Sequence, residues 1–302
     1  MPCYSPLTGY KSKHLTENGK RKITFSRNHG LTDLVMTVPC GQCIGCRIDR
    51  SRMWAIRCVH ESKLHEKNCF ITLTYDDENL PPDLDLQKTD LQKFFKRLRK
   101  QCGEFRYFAC GEYGDKGLRP HYHAIIFGLN FSDDRKQHSS SNDKIYFKSD
   151  TLTKIWGKGH CLLSTFTYAT AAYTARYVMK KQNGKNAGQH SNYTRLTTDG
   201  ELYQVSPEFA CMSLRPGLGS GWYDRYKSDA FPSDFLVHEG KKHPVPRYYL
   251  DKLSREAETD SQQIKMKRKM ERKKSAPNNT PDRLAVREEC KQSQLNQLKR
   301  SL

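Results

Sequence analysis

Apolar positions along this chain recur with two periods, and the switches between them mark out most of the elements. Asn68 to Tyr75 is aromatic and β-branched and predicts a strand, which Asp76-Asp77-Glu78-Asn79-Leu80-Pro81-Pro82 then breaks. Glu104 to Glu112 predicts a second strand and Arg119 to Phe127 a third, with the turn-forming Gly111 to Arg119 making them an antiparallel hairpin. Between Lys88 and Cys102, Leu91, Phe94, Phe95 and Leu98 recur at helical spacing opposite Lys93, Lys96, Arg97, Arg99 and Lys100. Arg47 to His65 carries a second helical stripe (Ile48, Trp54, Ala55, Cys58, Val59) with arginines on its other faces. Ser149 is the expected cap of a short helix through Trp156 that Gly157 ends, His160 to Phe166 is a strand, and the Ala-rich Thr167 to Gln182 is a helix. Asp199-Gly200 and Glu239-Gly240 signal hairpins. Residues 1–39 read as polar and turn-rich with one short strand at Leu34–Val38. Asn130 to Asn142 reads as a surface loop, and Lys144 to Lys148 as an edge strand. Arg215 to Gly221 is Gly-rich, but the sequence around it signals neither the strand nor the helix of a dinucleotide loop, so it reads as a turn.

Charge narrows the function. The 302 residues carry 52 Lys and Arg against 33 Asp and Glu, a formal +19, which is the electrostatic footprint expected for a polyanion, nucleic acid first. No apolar run approaches a membrane span. The opening residues resemble no signal peptide, and the eleven cysteines then fit reduced thiols in a cytosol better than a disulfide framework. No Gly-x-x-x-x-Gly-Lys-Ser/Thr loop occurs, which argues against an ATP motor. From Asp251 the chain is highly charged, and Lys265 to Lys274 reads as a basic helix or a disordered arm.

Three groups of residues carry candidate chemistry. In the His strand, alternation puts His121 and His123 on one face, about 7 Å apart along the strand, while Tyr122 points away. Glu112 lies across the hairpin, where antiparallel neighbours sit about 5 Å apart, so its carboxylate reaches the same face. Two imidazoles and a carboxylate with open positions suit Mn²⁺ or Mg²⁺ bound together with a phosphate oxygen. Tyr173 and Tyr177 stand at i and i+4 of the Ala-rich helix, roughly 6 Å apart on one side, with Lys180 and Lys181 following. A phenol is a poor nucleophile at neutral pH unless a cation favours the phenolate, a part open to the metal or to Lys180. Attack on a phosphodiester would conserve the bond energy in a phosphotyrosine ester, so the strand can later be rejoined without ATP. Finally, Cys40-Gly41-Gln42-Cys43-Ile44-Gly45-Cys46 has the spacing of zinc ligands, and Cys3 could complete a set of four; free thiols or a redox pair are the plainer alternatives.

Taken in order, Phe70-Ile71-Thr72-Leu73-Thr74-Tyr75, Gly111-Glu112-Tyr113-Gly114, Arg119-Pro120-His121-Tyr122-His123 and Tyr173-x-x-x-Tyr177-x-x-Lys180 resemble the HUH (His–hydrophobic–His) endonucleases. More narrowly, with Met1-Pro2-Cys3 and Cys40-x-x-Cys43-x-x-Cys46-Arg47, the chain resembles replication initiators of microvirus phages, in particular the gokushovirus branch. The resemblance implies an α+β fold, a central antiparallel sheet flanked by helices and related to the RNA-recognition (ferredoxin-like) fold. The expected division of the chain is an N-terminal segment over 1–66 with a possible zinc site and a basic helix, a nuclease core over 67–182, an extension over 183–250 packing on the core, and a basic helical or disordered tail over 251–302. The resemblance further implies rolling-circle replication in the cytoplasm of a bacterial host. Tyr177 would cut the origin strand and keep the 5′ end, and the freed 3′-hydroxyl would prime host polymerase. Tyr173 would cut the regenerated origin. His121, His123 and Glu112 would hold the metal, with Lys180 assisting. Another acidic residue could replace Glu112 as third ligand, and Tyr168 or Tyr193 could stand near the site. The tail could grip DNA or recruit a host helicase. Two rival readings are a transposase- or relaxase-like strand transferase and a non-enzymatic nucleic-acid-binding module with a structural zinc; the second leaves Glu112, His121, His123 and Tyr177 unexplained.

Overall fold

A computed structural model describes residues 3–114, 117–141, 144–180, 193–196 and 199–297, with the backbone alone at 141, 144 and 177–180. The strands are β1 (Leu7–Leu15), β2 (Arg21–Thr24), β3 (Gly30–Val38), β4 (Asn68–Thr74), β5 (Arg106–Tyr113), β6 (Pro120–Phe127), β7 (Lys136–Ser141), β8 (Lys144–Lys148), β9 (Cys161–Thr165), β10 (Thr194–Leu196), β11 (Leu202–Gln204), β12 (Phe209–Met212), β13 (Phe235–His238) and β14 (Lys241–Pro244). The helices are α1 (Ile44–Ser62), α2 (Lys88–Cys102), α3 (Asp150–Trp156), α4 (Tyr168–Lys180), α5 (Ser220–Tyr226), α6 (Arg247–Glu256), α7 (Glu258–Lys274) and α8 (Pro281–Asn296). Among the described residues, none of these helices is long and apolar enough to cross a membrane.

The chain forms two compact units, one of residues 1–49 with 266–302 and one of residues 50–265. The first contains a three-stranded antiparallel sheet in the order β2-β1-β3, with Tyr10 opposite both Thr24 and Val35. Only β3 was signalled by the sequence. The faces of β1 and β2 are largely exposed, so they carry none of the apolar contrast that marks a half-buried strand. The charged C-terminal stretch is helical, and α8 is capped by the Thr280 hydroxyl accepting from Arg283 N.

The second unit is built on a seven-stranded antiparallel sheet, β12-β5-β6-β4-β9-β8-β7, with helices on both faces, the α+β architecture expected. Strand alternation sorts the core. Cys69, Ile71 and Leu73 of β4 and Tyr122, Ala124 and Ile126 of β6 face Leu91, Phe94, Phe95 and Leu98 of α2 together with Trp156. Phe70, Phe108, Ile125 and Phe127 point the other way, onto Ala55 and Cys58 of α1 and Ala171 and Ala175 of α4. The alanines let α4 approach the sheet closely.

Ser149 accepts from Leu152 N at the start of α3, and Gly157 ends that helix in the left-handed region with φ 61°, as its sequence predicts. Gly159, at φ 133°, packs against the Thr74–Asp76 backbone so closely that a β-carbon has no room there. The hairpin β13–β14 turns at Glu239 and Gly240, both at positive φ. Two expectations need correcting. The polar stretch read as a loop before Asn142 contains β7, which pairs with β8 and so takes the edge position expected of Lys144–Lys148. The Gly-rich turn at 215–221 does have a strand, β12, before it and a short helix, α5, after it. However, β12 pairs antiparallel with β5 at the sheet edge, so the parallel βαβ unit of a dinucleotide site is not formed there.

A separate aromatic core joins α1, α5 and α6 within this unit. His60 stacks on Trp222 with ring centroids 3.5 Å apart and hydrogen-bonds Tyr249 Oη at 2.9 Å. Burial, aided by the nearby Lys63 and His238 charges, pushes the imidazole down to about 3 from its usual 6.5. Folded protein therefore keeps His60 neutral where the unfolded chain takes up a proton. Stability should accordingly fall as pH drops through about 6.5, by up to about 1.4 kcal/mol per pH unit from this group. Urea midpoints at pH 7 and pH 5 measure this. His60→Gln should flatten the dependence, and an unchanged slope in that variant would assign it to other groups.

Candidate metal centre

The site grows out of sheet register. On β5 and β6, Glu112 pairs with His121 and Cys110 with His123; on β4, Thr72 pairs with His123 from the opposite side. Alternation then aims Glu112, His121 and His123 at the α4 face of the sheet. Glu112 Oε1 lies 2.8 Å from His121 Nε2 and 2.8 Å from His123 Nε2. Ligand atoms of these three residues all lie within 4.8 Å of one another. Glu112 and His123 are buried, at 2% and 3% exposure, while His121 is partly open.

Second contacts fix the rings. Thr72 Oγ1 stands 2.9 Å from His123 Nδ1, and the Arg119 carbonyl 3.2 Å from His121 Nδ1. Each Nδ1 thereby has a polar partner that fixes its ring, and both Nε2 atoms are aimed at Glu112 Oε1. Phe70 stacks on the His123 ring at 5.5 Å. Burial works to raise the Glu112 carboxyl, but hydrogen bonds from His121 and His123 outweigh it and hold its pKa below the ordinary carboxylate range. A buried carboxylate and two oriented imidazoles form the donor set of a divalent metal with open positions, so the residues present fit a divalent cation.

The helix beside this centre starts at a reciprocal cap. Thr167 N donates to Thr170 Oγ1 at 2.9 Å, and Thr170 N to Thr167 Oγ1 at 3.1 Å. With Ala171 and Ala175 against the sheet, Tyr173 is carried to the metal-ligand side. Its hydroxyl donates to Glu112 Oε1 at 3.5 Å, and its ring meets His123 edge-on at 5.2 Å. The Arg176 guanidinium sits 5.8 Å from the same ring. Tyr177 and Lys180 occupy α4 by their backbone, but their side chains lie outside the described residues, as does Lys181 altogether. Tyr168 and Tyr193, named above as possible neighbours of the site, pack elsewhere. Tyr168 lies on His238 and His243 at 5.1 and 5.5 Å, and Tyr193 is buried in the α2-side core. Thr72, Phe70 and the Arg119 carbonyl were not foreseen as site groups. Knowing the β4–β6 register would have found Thr72.

The four cysteines singled out in the sequence do come together: Sγ atoms of Cys3, Cys40, Cys43 and Cys46 lie within 4.8 Å of one another.

A family model described as replication-associated protein ORF2/G2P matches residues 68–182, the stretch that holds Glu112, His121, His123, Tyr173 and Tyr177. The chain is 33% identical over 223 residues to replication-associated protein VP4 of Bdellovibrio phage phiMH2K, covering 70% of this chain and 66% of that one. It is 31% identical over 280 residues to replication-associated protein ORF2 of Spiroplasma virus 4, covering 85% of this chain and 81% of that one. With replication-associated protein ORF4 of Chlamydia phage 1 it shares 26% identity over 243 residues, covering 78% of this chain and 58% of the relative. No solved structure matches. The chain belongs to the phage replication-associated proteins of the ORF2/G2P kind.

Proposed function

We infer that this protein initiates rolling-circle replication by nicking and rejoining single-stranded DNA at a phage origin. The observation that carries the reading is the meeting of Glu112 Oε1 with His121 Nε2, His123 Nε2 and the Tyr173 hydroxyl in one buried corner of the sheet. Glu112, His121 and His123 would hold a divalent cation, which would supply Lewis-acid polarisation of the scissile phosphodiester. The chain's own groups do the rest. Thr72 and the Arg119 carbonyl hold both imidazoles in the ligating orientation. The basic surface, part of a formal +19, holds the strand by its phosphates. A tyrosine Oη loses its proton and attacks phosphorus; the bond from phosphorus to the 3′ oxygen breaks, and that oxygen takes up a proton to become a free 3′-hydroxyl. The 5′ phosphate stays esterified to the tyrosine, ready for the reverse reaction.

The short approach of Tyr173 to Glu112 supports Tyr173 as a nucleophile. Tyr177, one helical turn on, is the other, and Lys180 one turn beyond it favours the phenolate. Host polymerase extending the 3′ end, a host helicase, and action in the bacterial cytoplasm belong to the same reading. To test it, purified protein is incubated with Mn²⁺ and a panel of single-stranded fragments from the parent genome. One fragment should be cut, with protein covalently retained on the 5′ side. Binding to all fragments with cleavage of none would instead indicate a non-enzymatic binding module.

A further inference from the structure

The nicking reaction makes no use of the cysteine cluster. The geometry points to a structural zinc site formed by Cys3, Cys40, Cys43 and Cys46, independent of the metal centre on the sheet. All four sulfurs belong to the smaller unit, and Cys3 Sγ lies 3.8 Å from Cys40 Sγ. In a tetrahedron with Zn–S bonds of about 2.3 Å, neighbouring sulfurs stand roughly 3.8 Å apart. A disulfide needs only about 2.05 Å between its sulfurs, so this pair is spaced for a shared cation rather than for oxidation.

The backbone around the cluster is arranged for thiolates. Cys40 Sγ accepts from Gln42 N at 3.4 Å and from Cys43 N at 3.2 Å, in a turn that Gly41 makes at φ 76°. Cys3 Sγ accepts from Cys40 N, and Cys43 Sγ from Tyr4 N, both at 3.3 Å. Such N–H donors stabilise the negative charge that zinc-bound sulfur carries. Cys43 and Cys46 flank the start of α1, where the positive end of the helix favours the net −2 of a four-thiolate zinc complex. With every position taken by sulfur the site is closed, which is the mark of a structural rather than a catalytic zinc.

The smaller unit also has reason to need it. Among its described hydrophobic residues only Cys3, Tyr10 and Leu284 are buried, while Leu7, Leu15, Ile23, Phe25, Leu34 and Val35 are exposed. A sheet with so little core is stabilised by a metal staple, which ties the first residues and the end of β3 to the first turn of α1.

Metal analysis of the full chain after gel filtration should give one zinc per protein. Cys43→Ser should lose it, Cys290→Ser, at an exposed thiol, should keep it, and the double variant His121→Ala/His123→Ala should keep it too. Because Cys43→Ser can fail to fold, cobalt replacement of the wild-type metal gives a second readout: an intense sulfur-to-cobalt charge-transfer band marks thiolate ligation. Zinc retained in Cys43→Ser, zinc lost in the histidine variant, cobalt lacking that band, or the mass deficit of a disulfide among these cysteines would each overturn the assignment. The cobalt band does not depend on whether the protein cuts DNA.

Discussion

Tyr173→Phe combined with Tyr177→Phe is expected to abolish the covalent 5′ adduct and to lower cleavage by about 10⁴-fold or more, the scale on which losing a nucleophile is felt. Binding to the same fragment should hold, because affinity for a strand rests mainly on phosphate contacts that neither substitution touches. The single variants apportion the roles. If Tyr177 cuts first, Tyr177→Phe alone should suppress the initial nick, and Tyr173→Phe should permit the nick but impair the second transfer. The reverse pattern would make Tyr173 the first nucleophile. An adduct in the double variant would place the nucleophile on a residue other than Tyr173 and Tyr177. Fold is not at stake, since Phe preserves the ring packing of Tyr173 on His123 and Phe70.

The second large effect concerns the ligands. His121→Ala/His123→Ala should lower Mn²⁺-dependent cleavage by about 10³-fold, matching the several kcal/mol that a Lewis acid contributes to a phosphoryl-transfer barrier. Calorimetry should show loss of Mn²⁺ binding in the same variant. Thr72→Val removes only the partner of His123 Nδ1, and should weaken Mn²⁺ affinity by about 10–100-fold with the ligands intact. Undiminished Mn²⁺ binding in the double variant would show that the ion sits elsewhere.

The parts of this site that share a local pattern were legible in the sequence. Period-two alternation put His121 and His123 on one face, and the short loop put Glu112 opposite them; the register Glu112–His121 bears this out. The helix over Lys88–Cys102 was readable because Leu91, Phe94, Phe95 and Leu98 make a continuous stripe. What escaped was either polar or remote. Strands β1, β2 and β7 expose most of their length or carry no apolar alternation, so nothing distinguishes them from turns. Strand β12 is four residues long, and its partner β5 lies about a hundred positions earlier, a pairing no local window contains. Aromatics were ambiguous for a different reason. A tyrosine in sequence is equally a nucleophile or a packing ring, and the tertiary setting separated Tyr173, at Glu112, from Tyr193, in the core.

That long-range pairing bears on any attempt to excise the reactive segment. Residues 68–182 hold the two histidines, the glutamate and the paired tyrosines, yet their walls come from outside. Phe209 of β12 closes over Gly111, where an added β-carbon would come within 2.7 Å of its ring. Val205 and Tyr193 seal one face, and Ala55 and Cys58 line the other. A gene fragment cut at those limits would carry every group proposed to react while laying bare the outer edge of β5 and both greasy flanks, inviting aggregation before any chemistry. The smallest piece worth expressing therefore has to begin upstream of Ala55 and run past Met212.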